Sequence, residues 1–278
     1  MRSLPRLTFL LLAMTVALGG CGKKSDTPPP AAQRDPQQAQ TDQGGQEPAA
    51  DAAEPKLPKV DFVKPALALA AGSYGGACVN SDATKSNVTI SVTPDGKLKM
   101  GDLSGTVTDK IMLSKHREGA KLWYTLLVSG EQANVSMMRH MDAAEHQVSA
   151  TVGAVGVSCN TATKVLPLEG KTVFSAYADV LRTQPRKLRC MVMSDMTFKE
   201  LPFELQDDKL TLGDQVVDLS KVTTETLSAE GNGAGYIFVE GDQRRGTVSV
   251  DEFGRLHAVS VTAGDKGYNC TDLASAGN

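Results

Sequence analysis

The chain carries five cysteines and four histidines, the residue types that ligate metals, attack carbonyls or cross-link a fold. Cys21, Cys78, Cys159, Cys190 and Cys270 lie far apart, so the C-x₂-C pair of a zinc site does not occur. His116, His140, His146 and His257 fall outside the H-E-x-x-H spacing that sets two imidazoles on one helix face. No G-x-S-x-G elbow, P-loop or helix-opening G-x-G-x-x-G is present. The cluster Gly231-Asn232-Gly233-Ala234-Gly235 sits between strand patterns and suits a hairpin loop. Asp95, Asp102, Asp207 and Asp208 lack the ordered oxygen series of a calcium loop and suit turns. With neither a nucleophile–base pair nor a metal motif, the sequence predicts no enzyme, no catalytic residue, no cofactor and no metal.

One cysteine has a different chemistry. Arg2 and Arg6 precede an uncharged apolar run, Leu7 to Leu18, that ends in Leu18-Gly19-Gly20-Cys21. Its 12 residues are too few for a helix to cross a bilayer, which takes about 20, and suit the core of an export signal. The order of charge, apolar run and tetrad resembles the lipobox signal of bacterial lipoproteins. That resemblance covers residues 1–21 only. It implies that residues 1–20 are removed and that Cys21 carries diacylglycerol and an N-acyl chain. It also implies export, and Gly22 after the cysteine implies the outer membrane, facing the periplasm or the cell surface. Residues 21–58 are rich in Pro, Gln, Ala and Asp, bury almost nothing, and predict a disordered tether.

The remaining four cysteines are ordered by a duplication. Adding 112 carries Lys59 to Lys171, Phe62 to Phe174, Cys78 to Cys190, and Asp102 to Asp214. Past a one-residue gap the offset is 111, and 9 of the 30 positions 130–159 recur identically, among them His146 as His257 and Cys159 as Cys270. A fixed period marks a repeated unit. It divides the chain into a β-module over 59–160, a linker over 161–170 and a second β-module over 171–278. Four cysteines allow three pairings, and the repeat selects Cys78–Cys159 and Cys190–Cys270, one bridge across the ends of each copy. An exported chain keeps such bridges oxidised.

The elements that position these residues read as strands. Val88–Thr93 alternates and runs into the turn Pro94-Asp95-Gly96. Lys97–Leu103, Lys110–Lys115, Lys121–Ser129, Ala133–Arg139 and His146–Val152 follow, and copy two repeats the rhythm from Phe203 to Thr262. Short helices are expected at Phe62–Leu69 and Val173–Leu181. The fold class is therefore all-β with one short helix per module. It is expected as two tandem antiparallel meander barrels or sandwiches, each closed by a disulfide, or as one barrel of two halves.

Net charge −3 excludes a general nucleic-acid binder, which needs a basic footprint. The basic run Arg182, Arg186, Lys187 and Arg189 is the one charge cluster that could face an acidic partner or glycan. The function expected is a lipid-anchored, non-catalytic binding module, in concrete form an inhibitor or immunity lipoprotein against a wall-degrading enzyme. Small lysozyme-inhibitor lipoproteins are similar in layout. The other class is a structural accessory lipoprotein of an envelope assembly or secretion machine. The expected partners are the membrane, through the lipid, and a periplasmic protein or cell-wall glycan, with no nucleic acid.

Overall fold

The computed structural model describes residues 57–181, 185–206, 208–241 and 244–271. Copy one opens with the helix α1 (Val63–Ala70), whose first turn is held by Asp61 Oδ1 accepting the N–H groups of Val63 and Lys64 at 3.0 Å. Its strands are β1 (Gly72–Tyr74), β2 (Ala77–Asn80), β3 (Lys85–Ser86), β4 (Ile90–Val92), β5 (Lys97–Met100) and β6 (Leu103–Thr106). They continue as β7 (Lys110–Glu118), β8 (Lys121–Ser129), β9 (Ala133–His140), β10 (His146–Val152) and β11 (Val155–Thr161). In copy two the expected helix is reduced to a single 3₁₀ turn, Ser175–Tyr177. Its strands are β12 (Arg186–Val192), β13 (Phe198–Gln206), β14 (Lys209–Leu212), β15 (Gln215–Asp218) and β16 (Thr224–Glu230). The last four are β17 (Gly233–Glu240), β18 (Arg244–Asp251), β19 (Leu256–Ala263) and β20 (Lys266–Thr271).

The architecture is mostly β, as the alternation predicts. In β8 the residues Tyr124, Leu126 and Val128 are buried while Thr125 and Leu127 point the other way, the period of two that a strand with one core face requires. β1, β4, β5 and β6 form a four-stranded sheet that lies against β9 and β10. Gly105 of β6 allows that approach, because a Cβ there would stand 2.6 Å from the Ala133 Cβ. The other strands make one antiparallel sheet of 16, in the order β15-β14-β13-β12-β20-β19-β18-β17-β16-β7-β8-β9-β10-β11-β2-β3. The order is open. Among the described residues no ladder returns from β15 to β3, so hydrogen bonding closes neither copy into a barrel.

Both disulfides expected from the repeat are present. Cys78–Cys159 joins β2 to β11 and Cys190–Cys270 joins β12 to β20, with sequence separations of 81 and 80. In each copy the two cysteines face each other across neighbouring strands, so the bridge locks the first strand of the large sheet to the last.

The copies meet strand to strand at β7 and β16. Ser114 pairs with Thr226, and their hydroxyls bond at 2.9 Å. These residues are 112 apart, the offset of the repeat itself. The same offset takes buried Tyr124 to buried Tyr236 and preserves which face each side chain occupies. Equivalent strands thus pair with each other about a local two-fold axis normal to the sheet.

Segments outside the sheet tie the halves further. Val165, Leu166 and Leu168, in the stretch between the copies, are buried at 1%, 0% and 2% exposure. Arg139 of β9 donates to the carbonyls of Val165 and Leu166, and Tyr124 donates to the Lys171 carbonyl at 2.8 Å. At the start of copy one, Lys59 pairs with Glu252 of copy two at 2.6 Å, and the Val60 N–H donates to the Glu252 carbonyl at 2.8 Å. Buried residues of both copies belong to one continuous core.

Candidate functional site

The most concentrated polar chemistry lies at the seam, inside the core. Lys115 and Glu225 are cross-strand partners, and both side chains have no exposed surface. Lys115 Nζ donates to Glu225 Oε1 and to the Leu219 carbonyl at 3.5 Å. Glu225 Oε2 accepts the Val173 N–H at 2.8 Å and the Tyr236 hydroxyl at 3.0 Å. Burial and the facing carboxylate raise the Tyr236 pKa, and burial pushes that of Tyr124 up to about 12. Lysine, glutamate and tyrosine in contact resemble an acid–base site by type. Here they are sealed: the neighbouring hollow between Phe174, Leu181, Leu205 and Tyr236 has no room for a water. A satisfied buried ion pair specifies which strands meet and at what register.

The solvent side of the same strands differs in character. Strand pairing sets side chains into rows that run across the sheet. From Ser114, which is itself buried at 3% exposure, one row passes through Thr125, Met138, Gln147 and Asn160. From Thr226 it passes the other way through Ile237, Thr247, Ser260 and Asn269. The adjacent row holds Met112, Leu127, Ser136, Ser149 and Ser158 on one side and Ser228, Gly235, Ser249 and Ala258 on the other. None of these side chains is charged. Charges flank the rows instead. The second row continues through Thr271 to Arg189 at one end and through Val79 to Lys85 at the other. Two shallow hollows mark the face. One, of about 250 Å³, is lined by Met112, Leu127, Ser129 and Ser228 and by the paired charges of Lys110 and Glu230, and the other, of about 210 Å³, by Val79, Ser149, Gly156 and Ser158.

At one end of this face three rings stack across three strands. Trp123 lies between His116, at 5.4 Å between ring centroids, and His140, at 5.8 Å. The indole separates the imidazoles, so the two cannot converge on one ion. Burial lowers the His116 pKa. His146 is also lowered, by burial first and then by the charge of Arg139. Among the described residues no three His, Cys, Asp or Glu side chains gather as metal ligands.

The basic run does not form a single patch. Arg186 shares the half-buried side of β12 with Leu188, whereas Lys187 and Arg189 point outward. The Arg189 guanidinium stands 4.8 Å above the Phe198 ring. Beside it the β12–β13 turn exposes Met193, Met196 and Phe198 at 49%, 64% and 59%. Cys21 and Arg182 lie outside the described residues. The rows and the ring stack were missed in the sequence because each residue is ordinary alone. The available signal was the run of uncharged residues at outward positions of successive strands.

No family model, no curated protein and no solved structure matches this chain.

Proposed function

We propose that the chain is a lipid-anchored protein of the bacterial cell envelope, held by Cys21 and a tether, that acts as a non-catalytic binding module. Its place is the periplasmic side of the outer membrane. The observation that carries this reading is the uncharged outward face. Soluble surfaces carry about 25–35% charged residues, and this chain has 22% overall, yet the two central rows hold none. The neutral hydroxyl and amide groups of that face, with exposed Met112 and Ile237 among them, can take a partner without matching charges. Residues 59–160 and 171–278 act as two modules joined at 161–170. Each is sandwich-like, with β4–β6 over β9 and β10 in copy one, and Leu205 of β13 facing Leu227, Tyr236 and Val248 in copy two.

In its concrete form the protein inhibits a wall-degrading enzyme, with the exposed turn around Met196 entering the cleft. The second reading is an accessory lipoprotein of an envelope assembly. It is favoured by the local two-fold at Ser114 and Thr226, which matches a two-fold-symmetric partner. The full chain, purified in detergent, is mixed with a muramidase and separately with envelope extract. A stoichiometric complex that blocks wall digestion supports the inhibitor. Co-purification with a membrane assembly without inhibition supports the accessory role. Turnover of a wall substrate by the chain itself would overturn both.

A further inference from the structure

The outward face calls for a ligand of particular chemistry. Protein interfaces are depleted in serine and built on aromatic and arginine anchors, and the two central rows are rich in serine and hold neither aromatic nor arginine. Charged ligands would find no counter-charge among Thr125, Ser136, Ser149, Thr247 or Ser260. Hydroxyl and amide side chains offer donors and acceptors without charge. Met112, Ile237 and Leu127 among them give apolar spots, the first two 42% and 47% exposed. That pairing of neutral hydrogen bonding with small apolar platforms matches a sugar ring, whose hydroxyl rim and C–H faces have the same character.

The dimensions agree. The first row crosses ten strands, about 43 Å at about 4.8 Å per strand. A linear chain of several sugar units fits along it. The two hollows are each the size of one small ring and lie on opposite sides of Ser136 in the row order. Gly156 opens the second hollow, since the position carries no side chain and a Cβ there meets nothing closer than 3.6 Å.

We infer that the uncharged outer face, running from Asn160 to Asn269 on either side of the part-buried Ser114–Thr226 contact and through exposed Ile237 and Thr247, is a binding surface for an uncharged glycan strand. This rests on the binding-module reading and names the ligand class of its face. The Ser–Thr hydroxyls bond to ring hydroxyls, and the strand lies across the β-strands, so both copies contribute to one site.

The test uses the full chain in detergent, titrated with a neutral β-1,4-linked N-acetylglucosamine hexamer and, as the charged comparison, with peptide-free wall glycan, whose lactyl carboxylates are ionised. Binding is read by calorimetry, and the site by changes in backbone amide NMR signals. Binding with shifts confined to β2, β7–β11 and β16–β20 is expected. The variants Ser228→Glu and Thr247→Glu should each weaken it at least tenfold, while Lys187→Ala leaves it unchanged. Thermal melts keep these variants comparable as folded proteins, since both replaced side chains are exposed. Absence of binding to the neutral hexamer overturns the inference, whether or not the charged glycan binds, and so does binding that the face variants leave intact. If an envelope protein is then captured and lost in those variants, the binding module stands and only the glycan fails.

Discussion

Lys115 and Glu225 form an ion pair one residue from the axis that relates the two copies, with both side chains wholly buried. The symmetry-related pair is Leu113 with Leu227. Of the two inward pairs that flank the axis, one is thus apolar and the other ionic. The counterpart of Lys115 is Leu227 and that of Glu225 is Leu113, so neither copy can pair with a second copy of itself without leaving a buried charge unmatched or losing the pair. The duplication has kept the strand while its residues diverged, and the changes Leu113 to Glu225 and Lys115 to Leu227 match the seam to one copy of each kind.

Removing one partner should be costly. Lys115→Met leaves a carboxylate in the core and is expected to lower stability by about 3–5 kcal/mol. Adding Glu225→Gln should restore much of that. The amide is neutral, and its oxygen still accepts the Val173 N–H and the Tyr236 hydroxyl. Chemical denaturation of the single and double variants measures both. Equal losses in the two would show that the charge is not what the seam depends on.

The disulfides should stabilise a single cooperative body. Loops of 81 and 80 residues correspond to about 4–4.5 kcal/mol each in the chain-entropy model. Replacing Cys190 and Cys270 by serine should move one shared calorimetric transition to lower temperature, because the core and the β7–β16 ladder are common to both copies. Two transitions, with only one of them shifted, would mean that the copies melt separately.

The ring stack provides an optical titration. Trp123 is the sole tryptophan, and both neighbours are histidines. The folded His116 pKa lies below its ordinary 6.5, so between the two values the unfolded chain binds more protons. Stability from this group is present above about pH 6.5 and lost as pH falls through the folded value. His146 acts with the same sign. Tryptophan emission should drop on acidification with a midpoint below 6.5, as imidazolium forms against the indole, and His116→Gln should reduce the drop. In a His140→Gln background, where His116 is the one imidazole stacked on the indole, a midpoint above 6.5 would contradict the burial of His116.

Met196 occupies a left-handed conformation, φ 58°, at an exposed turn. Met196→Gly should stabilise the fold by about 1 kcal/mol by removing that strain. If the turn enters an enzyme cleft, the same substitution should also weaken inhibition. Stability gained with inhibition unchanged would remove the turn from the contact surface.

The extent to which the sequence disclosed this structure follows from the range of each interaction. Alternation along β8 and β10 is local and was visible, and the repeat aligned all four cysteines because both copies kept them. The expected helix over Val173–Leu181 formed only a 3₁₀ turn, followed by turn bonds from Val180 and Leu181 to the Tyr177 carbonyl, and the apolar pattern does not separate such a string of turns from a helix. The β7–β16 ladder was not visible, because pairing between copies depends on which edges are left free once each copy has formed. A trace of it existed: Lys115 and Glu225 sit at inward positions, where alternation calls for apolar residues. The outward rows arise only after that pairing is made.

The most direct test of the binding account places a photo-crosslinking residue at Ser228, Thr247 or Met196 of the full chain in cells. The account predicts adducts from Ser228 and Thr247, lost when Thr226→Lys puts a charge in the face. Adducts from none of these positions, or from Ser228 and Thr247 unaffected by that charge, would contradict it.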